Sequence, residues 1–143
     1  MNKETPIADG VDNRLEWSLL LLRLGVFIVM FVWTIEKFVN PGHAINIMRG
    51  FYGIDGVAET LVYGMAVAEL VLLLLFISGI KRRWTYGIVA LLHTGSTFSS
   101  FAQYLDPFNN MLFFAAWPMW AACVALYLLR DRDNKLTAPR HLA

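Results

Sequence analysis

The chain contains a single cysteine, Cys123, so an internal disulfide, a paired-cysteine redox centre and a thiolate metal cage are all excluded. Histidine is nearly as scarce, and His43, His93 and His141 have no metal-ligand spacing. Charge is sparse too: 16% of the 143 residues are charged and the net charge is +1, too little for the basic footprint that nucleic-acid binding requires. Apolar residues fill the space, at 57% of the chain with a mean hydropathy of +0.52. Soluble domains lie nearer about half apolar and about a quarter charged, so the balance points to lipid.

A helix rising about 1.5 Å per residue needs about 20 apolar residues to cross a hydrocarbon core of about 30 Å. Four windows meet that requirement: residues 17–38, 60–80, 84–104 and 111–129. The first stops at Asn40-Pro41-Gly42 and the third before Asp106-Pro107, both strong breakers. The apolar runs 26–32 and 70–77, and a first helix with no polar face, argue against a soluble bundle. The expected fold is therefore all-α: a polytopic integral membrane protein, an antiparallel bundle of four transmembrane helices forming one domain over residues 17–130. Residues 1–16 and 131–143 are read as polar cytoplasmic tails. The first apolar stretch is too long for a signal-peptide core and reads as a retained span.

Basic residues flanking the spans set the orientation. One side collects Lys3, Arg14, Lys81, Arg82, Arg83, Arg130, Arg132, Lys135 and Arg140, the other only Lys37 and Arg49, and Arg23 lies within the first span. The richer side is expected to be cytoplasmic, which puts both termini there, in a plasma (bacterial inner) membrane. On the opposite side, residues 40–59 form the one long connection. Ala44, Ile45, Met48, Phe51 and Tyr52 recur there at helical spacing, with His43, Asn46 and Arg49 on the other face. That pattern suits a short interfacial helix between the first two spans, or a loop resting on the bundle.

Ionisable groups at the bilayer centre cost about 2.5–3.5 kcal/mol on insertion scales, so each needs a reason. Glu69 and His93 each lie 12 residues from Lys81 in the basic turn, which places them at one height, about 18 Å in and close to the midplane. A carboxylate at that depth needs His93 or a cation beside it, or else keeps its proton. His93, Thr97, Ser100 and Tyr104 follow at i, i+4, i+7 and i+11 and share one face of the third helix. That stripe, with Glu36 and Lys37 ending the first helix at the same outer level, implies a polar pocket opening outward and floored by Glu69 and His93. The alternative is structural: membrane Ser and Thr bond back to their own backbone, and a Glu–His pair holds helices together.

Arg23 lies about 9 Å into the first span, close enough to the basic side to snorkel there as an anchor. Trp33, Trp84, Tyr104 and Trp117 fall near interfaces, where aromatic belts are usual. Pro118 frees a carbonyl in the fourth helix and is expected to bend it beside the pocket. Gly64 and Ala68 form a small-xxx-small pair that permits close helix approach, within the bundle or in a dimer.

Leu22-Arg23-Leu24-Gly25 in the first helix, Glu36-Lys37-Phe38 at its close, Ala68-Glu69-Leu70 mid-helix, and Gly79, Ile80 and Arg82-Arg83 together resemble the DoxX/DoxD-like family of small four-helix bacterial membrane proteins. The resemblance covers residues 17–130 and implies that Arg23, Lys37 and Glu69 are the positions matching the family pattern. Some members of that family are the small subunit of a thiosulfate:quinone oxidoreductase, and others accompany oxidative-stress proteins. The related vitamin K epoxide reductase fold works through a cysteine pair, which this chain lacks.

Three functions stay open from the sequence. The first is a membrane subunit of a redox-linked system. It would bind a quinone or similar apolar ring with Glu69, His93, Thr97, Ser100, Glu36 and Arg23 as polar partners and Trp33 and Trp117 packing the ring. No haem or flavin fingerprint is present, so its electrons would come from a protein partner. The second is a non-catalytic assembly subunit that uses its helix faces to bind a partner or another copy of itself. The third is a small transporter or proton path, for which a midplane carboxyl on a polar stripe is the motive.

Overall fold

The computed structural model describes residues 6–142, leaving Lys3 and the first part of the expected N-terminal tail outside the described residues. Six α-helices follow in order: α1 (Pro6–Val39), α2 (Pro41–Tyr52), α3 (Glu59–Ile77), α4 (Arg82–Ser99), α5 (Phe101–Tyr104) and α6 (Ala116–Leu128). Among the described residues no strand is present. The all-α expectation is met. Three stretches are long and apolar enough to cross a membrane, Gly10–Val39, Glu59–Ile77 and Met111–Leu128. α4 has the length but not the apolarity, because His93, Thr94, Ser96, Thr97 and Ser99 interrupt it.

α1 packs on α3 and α6, and α4 packs on α6 and α3. The shared core draws on all four: Leu19, Val26 and Met30 from α1, Leu73 and Phe76 from α3, Tyr86 and Val89 from α4, and Cys123 and Leu126 from α6. Phe76 and Tyr86 meet with ring centroids 4.9 Å apart. Outside this core the surface stays apolar, as Leu21, Ile28, Val32, Leu61, Val67, Val71 and Leu91 show. Apolar residues on both faces of a helix are what lipid permits and water does not. The molecule is a membrane protein.

Several boundaries differ from the sequence reading. α1 starts at Pro6 rather than at residue 17. Proline is at home in a first helical turn, and Asp12 and Glu16 further along pair with Arg132 and Lys135. The connection over residues 40–59 does contain the expected short helix, α2. Pro41 opens it and Gly53, at φ 66°, closes it with its amide bonded to the Met48 carbonyl. Phe51 of α2 packs against Phe113, 5.9 Å between centroids. The third window breaks at Ser100 into α4 and α5, and the fourth opens as a 3-10 helix, Met111–Ala115, before α6. Pro118 therefore stands in the first turn of α6, where its missing N–H is not needed, and the change from 3-10 to α geometry precedes it.

The C-terminal segment is the largest departure. Residues 130–142, read from sequence only as a tail, fold back as a cap across the basic end of the helices. The Ala138 amide bonds the Ser78 carbonyl at 2.8 Å and the Lys81 amide bonds the Leu142 carbonyl at 2.7 Å. Arg82 fixes the cap from below, donating to the Arg130 carbonyl at 3.2 Å and to Thr137 Oγ1 at 2.8 Å. Gly64 and Ala68 serve no contact of this kind. Both face outward, and nothing lies within 4 Å of where a side chain on Gly64 would begin.

Candidate functional site

The polar residues singled out by sequence fall into three separate groups. The first joins α1 to α3. Lys37 Nζ meets Glu69 Oε2 at 2.6 Å and the Trp33 carbonyl at 3.4 Å. Side chains on a helix lean toward its N-terminus, so the lysine stem runs back one turn and carries its charge inward to the carboxylate. Both groups are mostly buried, at 18% and 17% exposure. Glu69 thus has the cation that its depth demands, and that cation is Lys37 rather than His93. Next to it, Glu36 turns the other way and pairs with His43 of α2. Two successive residues at the end of α1 therefore tie that helix to two different neighbours.

The second group lies along the seam between α4 and α6. His93 Nε2 is 3.4 Å from the Ala116 carbonyl oxygen at the start of α6. The hydroxyls of Thr94, Thr97 and Ser100 all donate one turn back, to the carbonyls of Ala90, His93 and Ser96. Tyr104 reaches over to the Thr97 carbonyl at 2.9 Å, and Trp120 Nε1 donates to Thr94 Oγ1 at 3.0 Å. The predicted stripe exists, but its hydroxyls are spent within α4 or across the seam. Around it Phe98, Trp117 and Trp120 form a triangle of edge-to-face rings 5.7–6.2 Å apart, extended by Tyr104 and Phe114. Trp117 belongs to this cluster. Trp33 is apart from it, 53% exposed on α1, and enters none of the described aromatic pairs.

The third group lies at the basic end and was only partly foreseen. Arg23 does not snorkel outward: it is 1% exposed and held by the cap. Its guanidinium donates to Asp133 Oδ2 at 3.1 Å, to the Tyr86 hydroxyl at 3.3 Å and to the Lys135 carbonyl. Tyr86 in turn donates to the same carboxylate oxygen at 2.7 Å, and Asp133 is completely buried. Among the described residues Arg23 Nε and Asp133 Oδ1 have no partner. The network is compact, charged and one donor and one acceptor short of complete, which makes it costly to assemble and costlier to break. Two further pairs frame it: Arg132 with Asp12, which is exposed, and Lys135 Nζ with Glu16 at 3.6 Å, which is half-buried.

Among the described hydrogen bonds and ion pairs, residues 23, 69 and 93 have different partners and do not bond one another. Sequence reasoning missed Tyr86, Asp133, Arg82 and Trp120 as polar partners. One signal was available in part: an arginine inside a span requires an acid, but Asp12, Glu16, Asp131 and Asp133 all lie on that side, so the sequence does not say which.

Apolar helices enclosing paired charges, with hydroxyls turned back on their own backbone, define an α-helical integral membrane protein whose polar groups hold helices together. Comparison with known families gives the particular kind. The model of the family described as methylamine utilisation protein MauE matches residues 15–105, and the chain belongs to that family. The matched family is not the DoxX/DoxD-like one that Arg23, Glu36-Lys37 and Glu69 resembled. Charged residues near helix ends and one mid-helix acid are demands of membrane packing that unrelated bundles share, so they do not single out a family. Among curated proteins and among solved structures, nothing matches the chain.

Proposed function

We propose that this chain is a non-catalytic membrane subunit of a redox-linked methylamine-utilisation system, with four spans, both termini cytoplasmic in a bacterial inner membrane, and a protein partner that carries the chemistry. The family match supplies the process. The carrying observation is the Lys37–Glu69 pair: the midplane carboxylate that motivated a ligand site is engaged at 2.6 Å by a lysine of the same chain. Basic residues concentrated where the cap closes support the orientation.

The test is replacement of the pair by apolar residues of similar size, Lys37→Met with Glu69→Leu, in a methylamine-utilising host lacking its own copy. Well-packed apolar replacements of a buried ion pair are commonly neutral, whereas one missing partner leaves a bare charge. The double variant should match the native protein in membrane abundance and in support of growth on methylamine, while Glu69→Leu alone should lower abundance severalfold. Normal abundance of the double variant without growth would overturn the reading and assign the pair to chemistry.

A second reading rests on the α4–α6 seam. The aromatic cluster around Trp117, with His93 at its edge, offers flat apolar faces of the kind that a quinone or similar ring stacks on. In that case His93→Ala should abolish growth on methylamine while leaving abundance unchanged. A growth defect that only tracks lost abundance would remove the ring-binding reading.

A further inference from the structure

A groove of about 310 Å³ opens on the outer side of α4 and α6, lined by Arg83, Trp84, Gly87, Ile88, Leu91 and Tyr127. The five α4 residues recur at i, i+1, i+4, i+5 and i+8, so they form one continuous stripe of that helix. Gly87 shapes its floor: a Cβ there would come to 3.2 Å from the Tyr127 ring, so glycine lets that ring approach the α4 backbone closely. The stripe is graded. Arg83 stands at the basic end, and Leu91 is eight residues, about 12 Å, deeper among lipid-facing apolar residues. Arg130, just past the end of α6 and outside the lining itself, holds its guanidinium 4.8 Å from the centre of the Tyr127 ring and donates to the Tyr127 carbonyl at 2.7 Å. Arg83 is exposed and, among the described residues, has no ion-pair or hydrogen-bond partner.

We infer that this groove is a binding site for one anionic phospholipid of the leaflet at the basic end. Its phosphate would lie between Arg83 and Arg130, and an acyl chain would run down past Gly87 and Ile88 to Leu91. Charge complementarity selects the occupant. An unpaired arginine in the lining, with a second stacked on the tyrosine that lines it, matches a negative headgroup attached to hydrocarbon, and a zwitterionic lipid would bring a positive group of its own. Trp84, 68% exposed beside Arg83, suits the headgroup level at which the arginines would sit. The inference needs only that the protein lies in a membrane.

Native mass spectrometry of the purified full-length protein, titrated in detergent with phosphatidylglycerol or phosphatidylcholine of identical chains, tests it. One phosphatidylglycerol should bind in clear preference to phosphatidylcholine. Arg83→Gln, which breaks no described contact, should reduce that preference roughly fivefold, the effect of removing one basic group at a membrane surface. Gly87→Leu should abolish the bound lipid by filling the groove, with monodispersity and helical content checked alongside. Arg14→Gln, an exposed arginine of the same end outside the groove, should change nothing. Equal binding of the two lipids would overturn the proposal. So would an equal loss from Arg14→Gln and Arg83→Gln, which would mean diffuse attraction. A protein partner or second copy that cross-links through position 88 and excludes phosphatidylglycerol would also overturn it.

Discussion

A guanidinium inside an apolar helix can reach back to water or bring an acid in to meet it, and Arg23 does the second. Its depth was legible from the position of Trp17, but the acid was not: Asp133 is 110 residues away and lies in a polar stretch with no periodicity to mark it as folded. Breaking a buried pair by removing one partner costs about 3–5 kcal/mol, whereas replacing both with packed apolar groups is often neutral. Arg23→Met should therefore lower the thermal unfolding temperature in detergent sharply, and Arg23→Met with Asp133→Leu should recover most of it. If single and double variants are equally destabilised, Arg23 acts through something other than Asp133. Glu69 shows the opposite balance. Its need for His93 or a cation could be stated from depth alone, but Lys37 was not named for the role, and the N-terminal lean of its stem is what brings it there.

Among the elements, α3 and the end of α1 were located well because their apolar residues signal locally, and α2 was one of the two options its pattern left open. The breaks at Ser100 and Ala115 were not visible, because they depend on how α4 and α6 share their seam. The cap was missed for the same reason, and its anchor is the turn between α3 and α4. Gly79 there has φ 67°, and a Cβ on it would fall 2.8 Å from the Thr137 side chain. Two demands meet in one residue: left-handed backbone, and space for the returning chain. Gly79→Ala carries about 1–2 kcal/mol of backbone strain before any clash is counted. It should loosen the cap and leave the core packed. Hydrogen exchange would show this as an increase of tenfold or more at the Ala138 amide, which bonds Ser78, with the amides around Leu73 unchanged. Faster exchange in both places would mean that the turn supports the whole bundle rather than the cap alone.

At the scale of the molecule, the proposed four spans require α4 to cross the bilayer although it is the least apolar of the four helices. Its neighbours make this feasible. Thr94, Thr97 and Ser100 satisfy their hydroxyls on backbone carbonyls, Trp120 bonds Thr94, and His93 lies on the Ala116 carbonyl, so these groups all have protein partners once α6 is in place. Before α6 arrives, the histidine and the Trp120-facing threonine lack those partners, and an unpaired polar group in hydrocarbon is costly. The helix should therefore insert poorly by itself and well in company. In a translocon insertion assay, α3 alone should span efficiently and α4 alone poorly. α4 followed by residues 105–129 should regain a transmembrane position, and the gain should fall when Trp120→Leu removes the bond to Thr94. Efficient insertion of isolated α4 would show that its own apolar face suffices. No insertion even with α6 present would leave three spans and place α4 against the membrane surface, with the two ends of the chain on opposite sides.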